Sequence, residues 1–267
     1  MTPEGGPPEL SFPAPGRATI TLARPRHLNR LHREDLLALQ AHFARLAGDA
    51  TLRVVVLTGR GRMFCAGFNI DELGEGPSAG TGTSDPHLFE RTVDALEALP
   101  VPTIARLNGS VFGGATDLAL ACDFRVGAAG MELRMPAARL GLHYYPSGLV
   151  RYVSRLGLPA AKRLFLLAET VSAQELLNLG YLDVLAAAVS SDPTDALDAE
   201  VERLAASLLA GAPLALRGMK LSLDEVARGE LDPARVRERE TRCATSDDLR
   251  EGLAAFAARR TPKFSGR

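Results

Sequence analysis

Two short apolar runs constrain this chain most: Leu52–Thr58 (LRVVVLT) and Val101–Leu107 (VPTIARL), each followed by a glycine-containing stretch. An apolar run with little polar alternation suits a strand buried on both faces, and such strands belong to parallel sheets covered by helices. The neighbouring segments agree. Arg17–Ala23 alternates as a strand does, and His32–Leu46 carries Leu36, Leu37, Leu39, Phe43 and Leu46 at helical spacing. Pro86–Leu99 predicts a helix and Gly113–Ala121 a short helix with a glycine-rich start. Phe124–Gly127 and Met131–Arg134 predict two more strands. The order β-α-β, loop, α-β-α-β-β predicts an α/β layer with mostly parallel pairing. Beyond Pro146 the pattern is helical: Ser147–Leu156, Pro159–Ala168, Ala173–Leu179, Asp195–Leu209, Pro213–Val226 and Ser246–Ala258.

Composition removes several function classes. The formal net charge is -1 over 267 residues, so no global field draws the chain to nucleic acid or to an anionic membrane. No apolar run is long enough to span a bilayer. Basic residues do gather locally, at Arg24, Arg26 and Arg30 and at Arg259, Arg260, Lys263 and Arg267; each group suits either a solvated surface or a few phosphates. The three cysteines, Cys65, Cys122 and Cys243, form neither a disulfide framework nor a metal site, which fits a reducing cytoplasm. Residues 1–15 are rich in Pro and Gly without an apolar stretch, and predict a disordered tail rather than a signal peptide.

The chemistry concentrates in two loops. Met63–Leu73 follows the first apolar run and Asn108–Leu118 the second, at the carboxyl ends of strands, where α/β sheets bind ligands. Gly113 and Gly114 open a helix, whose first N–H groups lack partners and suit an anion. Tight packing of that helix on a strand explains the glycines equally well. No GxxxxGK[ST] phosphate loop occurs, and Gly59-Arg-Gly61 does not read as opening a helix, so a dinucleotide fingerprint is not expected.

Further motifs make the pattern specific. Ile20–Leu31 (ITLARPRHLNRL), Phe64–Ile70 (FCAGFNI), Asn108–Asp123 (NGSVFGGATDLALACD), Ala161–Leu176 (AKRLFLLAETVSAQEL) with Gly180–Val184 (GYLDV), and Arg259–Gly266 (RRTPKFSG) occur in this order. Together they resemble the crotonase (enoyl-CoA hydratase/isomerase) superfamily over residues 17–267. The resemblance implies a ββα spiral core over residues 16–200 and a C-terminal helical region, 201–267, that builds a homotrimer or a hexamer. It implies an acyl-CoA thioester as substrate, coenzyme A being part of that substrate, and no separate cofactor or metal. The backbone N–H groups of Phe68 and Gly114 would hold the thioester oxygen as an enolate forms. Arg26, His27 and Leu28 would line the adenine end of coenzyme A, with Arg24 and Arg26 in reach of its phosphates. Ala66, Phe68 and Ile70 would line the pantetheine end.

The chain departs from the family's hydratases in the acid–base groups. Of their two glutamates, one matches Asp117, a carboxylate one methylene shorter, and the other matches Ala137, which moves no proton. A helix-surface charge is the plain alternative for Asp117. Where hydratases carry a small glycine-containing segment, this chain has His143, Tyr144 and Tyr145. These are pocket walls or replacement acid–base groups, Tyr144 resembling the tyrosine of superfamily decarboxylases. Asp71, Glu72 and His87, in the segment that covers the pocket in relatives, are further sources of a missing group. The expected function is that of an enoyl-CoA hydratase/isomerase family enzyme working through an enolate. The alternatives are a decarboxylase or hydrolase of acyl-CoA, or a non-catalytic protein that binds CoA thioesters.

Overall fold

The two apolar runs form neighbouring central strands, β3 (Val54–Gly59) and β4 (Thr103–Leu107), which run parallel with Val55 opposite Thr103 and Thr58 opposite Arg106. The computed structural model describes residues 5–69, 85–187 and 193–267. β3 also pairs in parallel with β2 (Arg17–Leu22), and β4 with β6 (Phe124–Gly127), which pairs in turn with β9 (Val184–Leu185). Side chains alternate across β3. Val55 and Leu57 meet Leu36, Leu39 and Phe43 of α1 (Arg33–Ala47) and Val93 and Leu96 of α2 (Leu88–Glu97). Val54 and Val56 meet Leu197, Val201 and Ala205 of α6 (Pro193–Ala210). Both faces of the sheet are covered, as the unbroken apolar runs require.

A second sheet of three short strands carries the chain past the carboxyl end of the first. β5 (Val111–Phe112) pairs in parallel with β7 (Glu132–Arg134), which pairs antiparallel with β8 (Thr170–Ser172). Between β5 and β6 lies α3 (Ala115–Leu120), all of whose side chains are buried. Between β7 and β8 lies α4 (Pro146–Lys162), and after β8 come α5 (Ala173–Asn178), α7 (Pro213–Arg228), α8 (Pro233–Ala244) and α9 (Asp247–Ala257). The mixed α/β core with a helical C-terminal region is thus present. No single helix among the described residues is long and apolar enough to cross a membrane.

Two expectations are corrected and a third is met. Residues 9–14, expected in a disordered tail, form the edge strand β1 (Glu9–Ala14), antiparallel to β2. An edge position and a register irregularity between Ser11 and Ala14 accommodate Pro13, which has no N–H to offer a ladder. The boundary at residue 200 falls inside α6, which belongs with the core because its apolar stripe covers the sheet. The two helices expected on either side of Gly157 are both present within α4: Gly157 takes φ 77° and ψ 157°, outside helical geometry, and separates them ahead of Pro159.

Candidate active site

The two loops are laced to each other and to the segment after β2 by backbone hydrogen bonds. Leu31 N–H donates to Gly67 O (2.9 Å), Asn69 N–H to Leu31 O (2.8 Å) and Ala66 N–H to Leu28 O (2.9 Å). Phe112 N–H donates to Cys65 O (3.0 Å), and Cys65 and Val111 form a parallel bridge. Asn29 locks the corner: its amide nitrogen donates to Arg60 O (2.9 Å) and Met63 O (2.8 Å), and its oxygen accepts from Arg24 N–H (3.0 Å). The buried thiol of Cys65 donates to Asn29 O (2.9 Å), and burial pushes its pKa up to about 12. It is a packed polar contact and not a nucleophile.

This lacing sets the direction of two amides. In the parallel bridge between Leu31 and Phe68, the bonds go to Gly67 and Asn69, so the N–H of Phe68 points away from Leu31. Gly114 lies at the start of α3, where the N–H has no intrahelical partner. Among the described residues, no acceptor takes the N–H of Phe68 or of Gly114. Gly67 brings the two loops together. It sits at φ 97°, and a Cβ there would come 2.7 Å from Phe112 O and 3.4 Å from Gly114 N. Only glycine tolerates both that dihedral and that approach.

Asp117, on α3, is fully buried. Its Oδ2 accepts hydrogen bonds from Tyr145 Oη and from Arg151 Nη1, the latter at 2.6 Å, and its Oδ1 has no partner. Burial pushes the Asp117 carboxyl above its ordinary range, and the Arg151 charge and the two hydrogen bonds offset only part of that push. Burial and then the Asp117 charge hold the Tyr145 phenol well above its usual pKa. Arg151 itself is anchored by Glu97 (2.9 and 3.2 Å) and Asp94 (2.8 Å), both on α2.

Aromatic rings enclose this centre. Tyr144 and Tyr145 stack at 4.3 Å, and the Tyr144 hydroxyl donates to Tyr145 Oη at 3.3 Å. Gly148, on the first turn of α4, makes room for both rings: a Cβ there would meet Tyr144 Cδ1 and Tyr145 Cε2 at 2.8 Å each. Phe89 packs 6.0 Å, centroid to centroid, from both Phe68 and Tyr145. Its ring also lies against Gly114, with Cζ 2.7 Å from where a Cβ would stand.

Phe68, Gly114, Asp117, Tyr144 and Tyr145 are therefore brought together. His143 is not: it is exposed, and its ring bonds the carbonyl of Tyr144 (2.8 Å). His87 is also exposed, beside Glu90 (3.2 Å). Ala137 is buried in a 3-10 turn and offers no acid. Arg26 and His27 are exposed on a one-turn 3-10 helix, Pro25–His27, and Leu28 joins Ala66 through the bond above. The guanidinium of Arg24 is held by Asp35 (3.0 Å) and Glu34. Ile70, Asp71 and Glu72 lie outside the described residues. Arg151, Glu97 and Phe89 were missed by the sequence reading. The only signal for Arg151 was a cation beside the apolar positions of a helix, which usually means a solvated edge.

Comparison with known proteins agrees with this layout. A family model described as enoyl-CoA hydratase/isomerase matches residues 15–267. The chain is 31% identical to the 2,3-dehydroadipyl-CoA hydratase of Escherichia coli, covering 93% of this chain and 94% of that one. It is 28% identical to the crotonyl-CoA hydratase of Syntrophomonas wolfei, covering 92% and 94%. Among solved structures, an enoyl-CoA hydratase/carnithine racemase from Magnetospirillum magneticum superposes with a TM-score of 0.88 at 27% identity, over 99% of this chain and 98% of that one. An enoyl-CoA hydratase from Bacillus anthracis does so with a TM-score of 0.84 at 28% identity, over 98% and 100%. With a family model spanning both loops and the whole helical region, the chain belongs to the enoyl-CoA hydratase/isomerase family of the crotonase superfamily.

Proposed function

We propose that the chain binds an acyl-CoA thioester and carries it through an enolate, whose oxygen accepts from the N–H groups of Phe68 and Gly114. One observation carries this reading: two amides without acceptors among the described residues sit on loops that Gly67 holds in contact. Charge that develops on the thioester oxygen meets fixed donors there, and losing one such donor typically costs about 3 kcal/mol of transition-state stabilisation. Ala66 and Leu28, bonded side by side, are the support for coenzyme A lying along this edge.

The reaction best matched is proton transfer, as in shifting a double bond, rather than hydration by two carboxylates. Ala137 removes one acid, and the aromatic rings of Tyr144 and Tyr145 occupy the segment that would hold the water. Crotonyl-CoA, a 3-enoyl-CoA and a malonyl-type CoA offered to the protein should show the 3-enoyl-CoA converted fastest. Faster hydration of crotonyl-CoA would overturn the choice of reaction. Absence of α-proton exchange on all three would overturn the enolate. Calorimetric binding without exchange would then favour the non-catalytic alternative, for which Ala137 is the motivating residue.

We also propose self-association through the C-terminal helices. Met219, Leu223 and Val226 of α7 and Leu249, Leu253 and Phe256 of α9 are exposed, Phe256 at 87%. Large exposed apolar side chains in such number mark an interaction surface. Light scattering should give the mass of a trimer or hexamer, and Leu253→Glu with Phe256→Glu should lower it to that of a monomer. A monomeric parent would contradict this.

A further inference from the structure

We propose that Tyr145 is the group that meets the reacting carbon, and that it passes protons between that carbon and the Asp117 carboxylate behind it. This deepens the enolate reading and rests on it. Asp117 is 0% exposed, and its Oδ2 is already engaged by Tyr145 and Arg151. A substrate carbon therefore has no access to this oxygen unless Tyr145 gives way. Tyr145, unlike Asp117, is partly exposed, and its ring adjoins Phe89, which rests on Gly114. The phenol thus joins the Gly114 side of the site to the carboxylate.

The hydrogen bonds leave the phenol one vacancy of the right kind. A tyrosine hydroxyl offers one donor and two acceptor positions. Its proton goes to Asp117 Oδ2, and one acceptor position is filled by the Tyr144 hydroxyl at 3.3 Å. The remaining acceptor position takes the substrate's proton. In that step the C–H bond breaks and its electron pair enters the enolate. The proton bonds to Tyr145 Oη as Tyr145's own proton passes to Asp117 Oδ2. Tyr145 stays neutral throughout, so no phenolate forms beside a carboxylate in a desolvated site. Reversal returns the proton to the α-carbon or, in a conjugated enolate, to the γ-carbon. One carboxylate is sufficient, as the alanine at position 137 demands.

Asp117 then acts through Tyr145, and Arg151 is a positioning residue that fixes which carboxylate oxygen receives the proton. The charged and titratable groups around Asp117 are Tyr144, Tyr145, Arg151 and Tyr152 of α4 and its approach, Glu97 of α2, and Tyr181.

The test is release of tritium from an α-tritiated butyryl-CoA or 3-enoyl-CoA. Wild type should release it, and Tyr145→Phe and Asp117→Asn should each slow release by about 100-fold or more, with CoA-thioester binding by calorimetry preserved. The wild-type rate should fall as the pH drops through the raised range of the Asp117 carboxyl, since only the carboxylate can accept. That acid limb should vanish from the residual rate of Tyr145→Phe. Near-normal release by Tyr145→Phe, with loss in Asp117→Asn, would overturn the relay and leave the enolate standing. No release by wild type would overturn both. If a variant fails to fold, wild type alone decides: the relay puts an exchangeable Tyr145 proton in flight, so release must be slower in D2O than in H2O. Equal rates in the two solvents would overturn it.

Discussion

Replacement of Arg151 by methionine is expected to destabilise the fold by about 3–5 kcal/mol, because it leaves the buried Asp117 carboxylate without its cation. The arginine is almost wholly buried and binds Asp117, Glu97 and Asp94 at once. Glu97 keeps Arg155 (2.9 Å), but Asp117 has no other cation within salt-bridge distance among the described residues. The loss should depend on pH in a definite direction. Asp117 already binds its proton more readily folded than unfolded, since burial raises its pKa. Without Arg151 that difference widens, so the variant regains stability as the pH falls toward the unfolded carboxylate range. Urea unfolding at pH 8 and at pH 5 should show the larger deficit at pH 8. A deficit under about 1 kcal/mol, the scale of an exposed ion pair, would show that the cluster contributes little. A deficit equal at both pH values would show that Asp117 is not the group left unpaired.

The second large effect is on rate. Gly67→Ala should lower the rate of α-proton exchange by about 10²–10³-fold, the scale for losing one backbone donor to a developing oxyanion. An added Cβ would sit 2.7 Å from Phe112 O, so one loop must move. The φ of 97° adds strain of about 1–3 kcal/mol for any residue with a side chain. The residue displaced first is Phe68, whose amide is one of the proposed pair. Circular dichroism should report an intact fold, because the apolar sheet faces are untouched. An exchange rate within a few-fold of the parent would mean that the Phe68 amide is not a donor.

Some of this was legible in the sequence, and the reason differs by element. β3 and β4 were visible because burial on both faces leaves an unbroken apolar run, and no helix of that length needs one. α1 and α6 were visible because each lays an apolar stripe on the sheet, and α7 and α9 because each carries an apolar stripe that it leaves exposed. α8 (PARVRERETRCA) was missed because it is mostly charged and has no buried residue; it is held by its cap, Ala234 N–H donating to Asp232 Oδ1 (2.9 Å), and by the Arg239–Glu225 pair to α7. β1 was hidden because it carries Pro13 and follows a stretch rich in Pro and Gly that resembles a tail. In the site, Phe68, Gly114 and Asp117 were legible through motifs, and the loss at Ala137 was too. Arg151 and Phe89 were not, because a side chain's partner across the fold leaves no trace in its own neighbourhood of sequence. Nor did the sequence separate His143 from Tyr144 and Tyr145: all three lie in one irregular segment ahead of α4, and only the packing around them, the stacked phenols inside and the imidazole turned to the Tyr144 carbonyl outside, tells them apart.

The ion pairs beneath α4 do not stop at Asp117. Arg155 reaches Glu97 and Asp224 (3.8 Å), Lys220 reaches Asp224 (3.4 Å) and Asp123 (2.6 Å), and Arg228 reaches Glu97 (3.9 Å). Lys220, Asp224 and Arg228 all belong to α7. Cutting the chain after Ala210 would therefore strip two cations and one carboxylate from the cluster, leaving Asp123 without its lysine and an excess of negative charge against α4. The carboxylates beneath α4 keep their full set of cations only when both parts of the chain are present, so the helices that follow Ala210 are tied to the core by its buried charges, whatever they do between subunits.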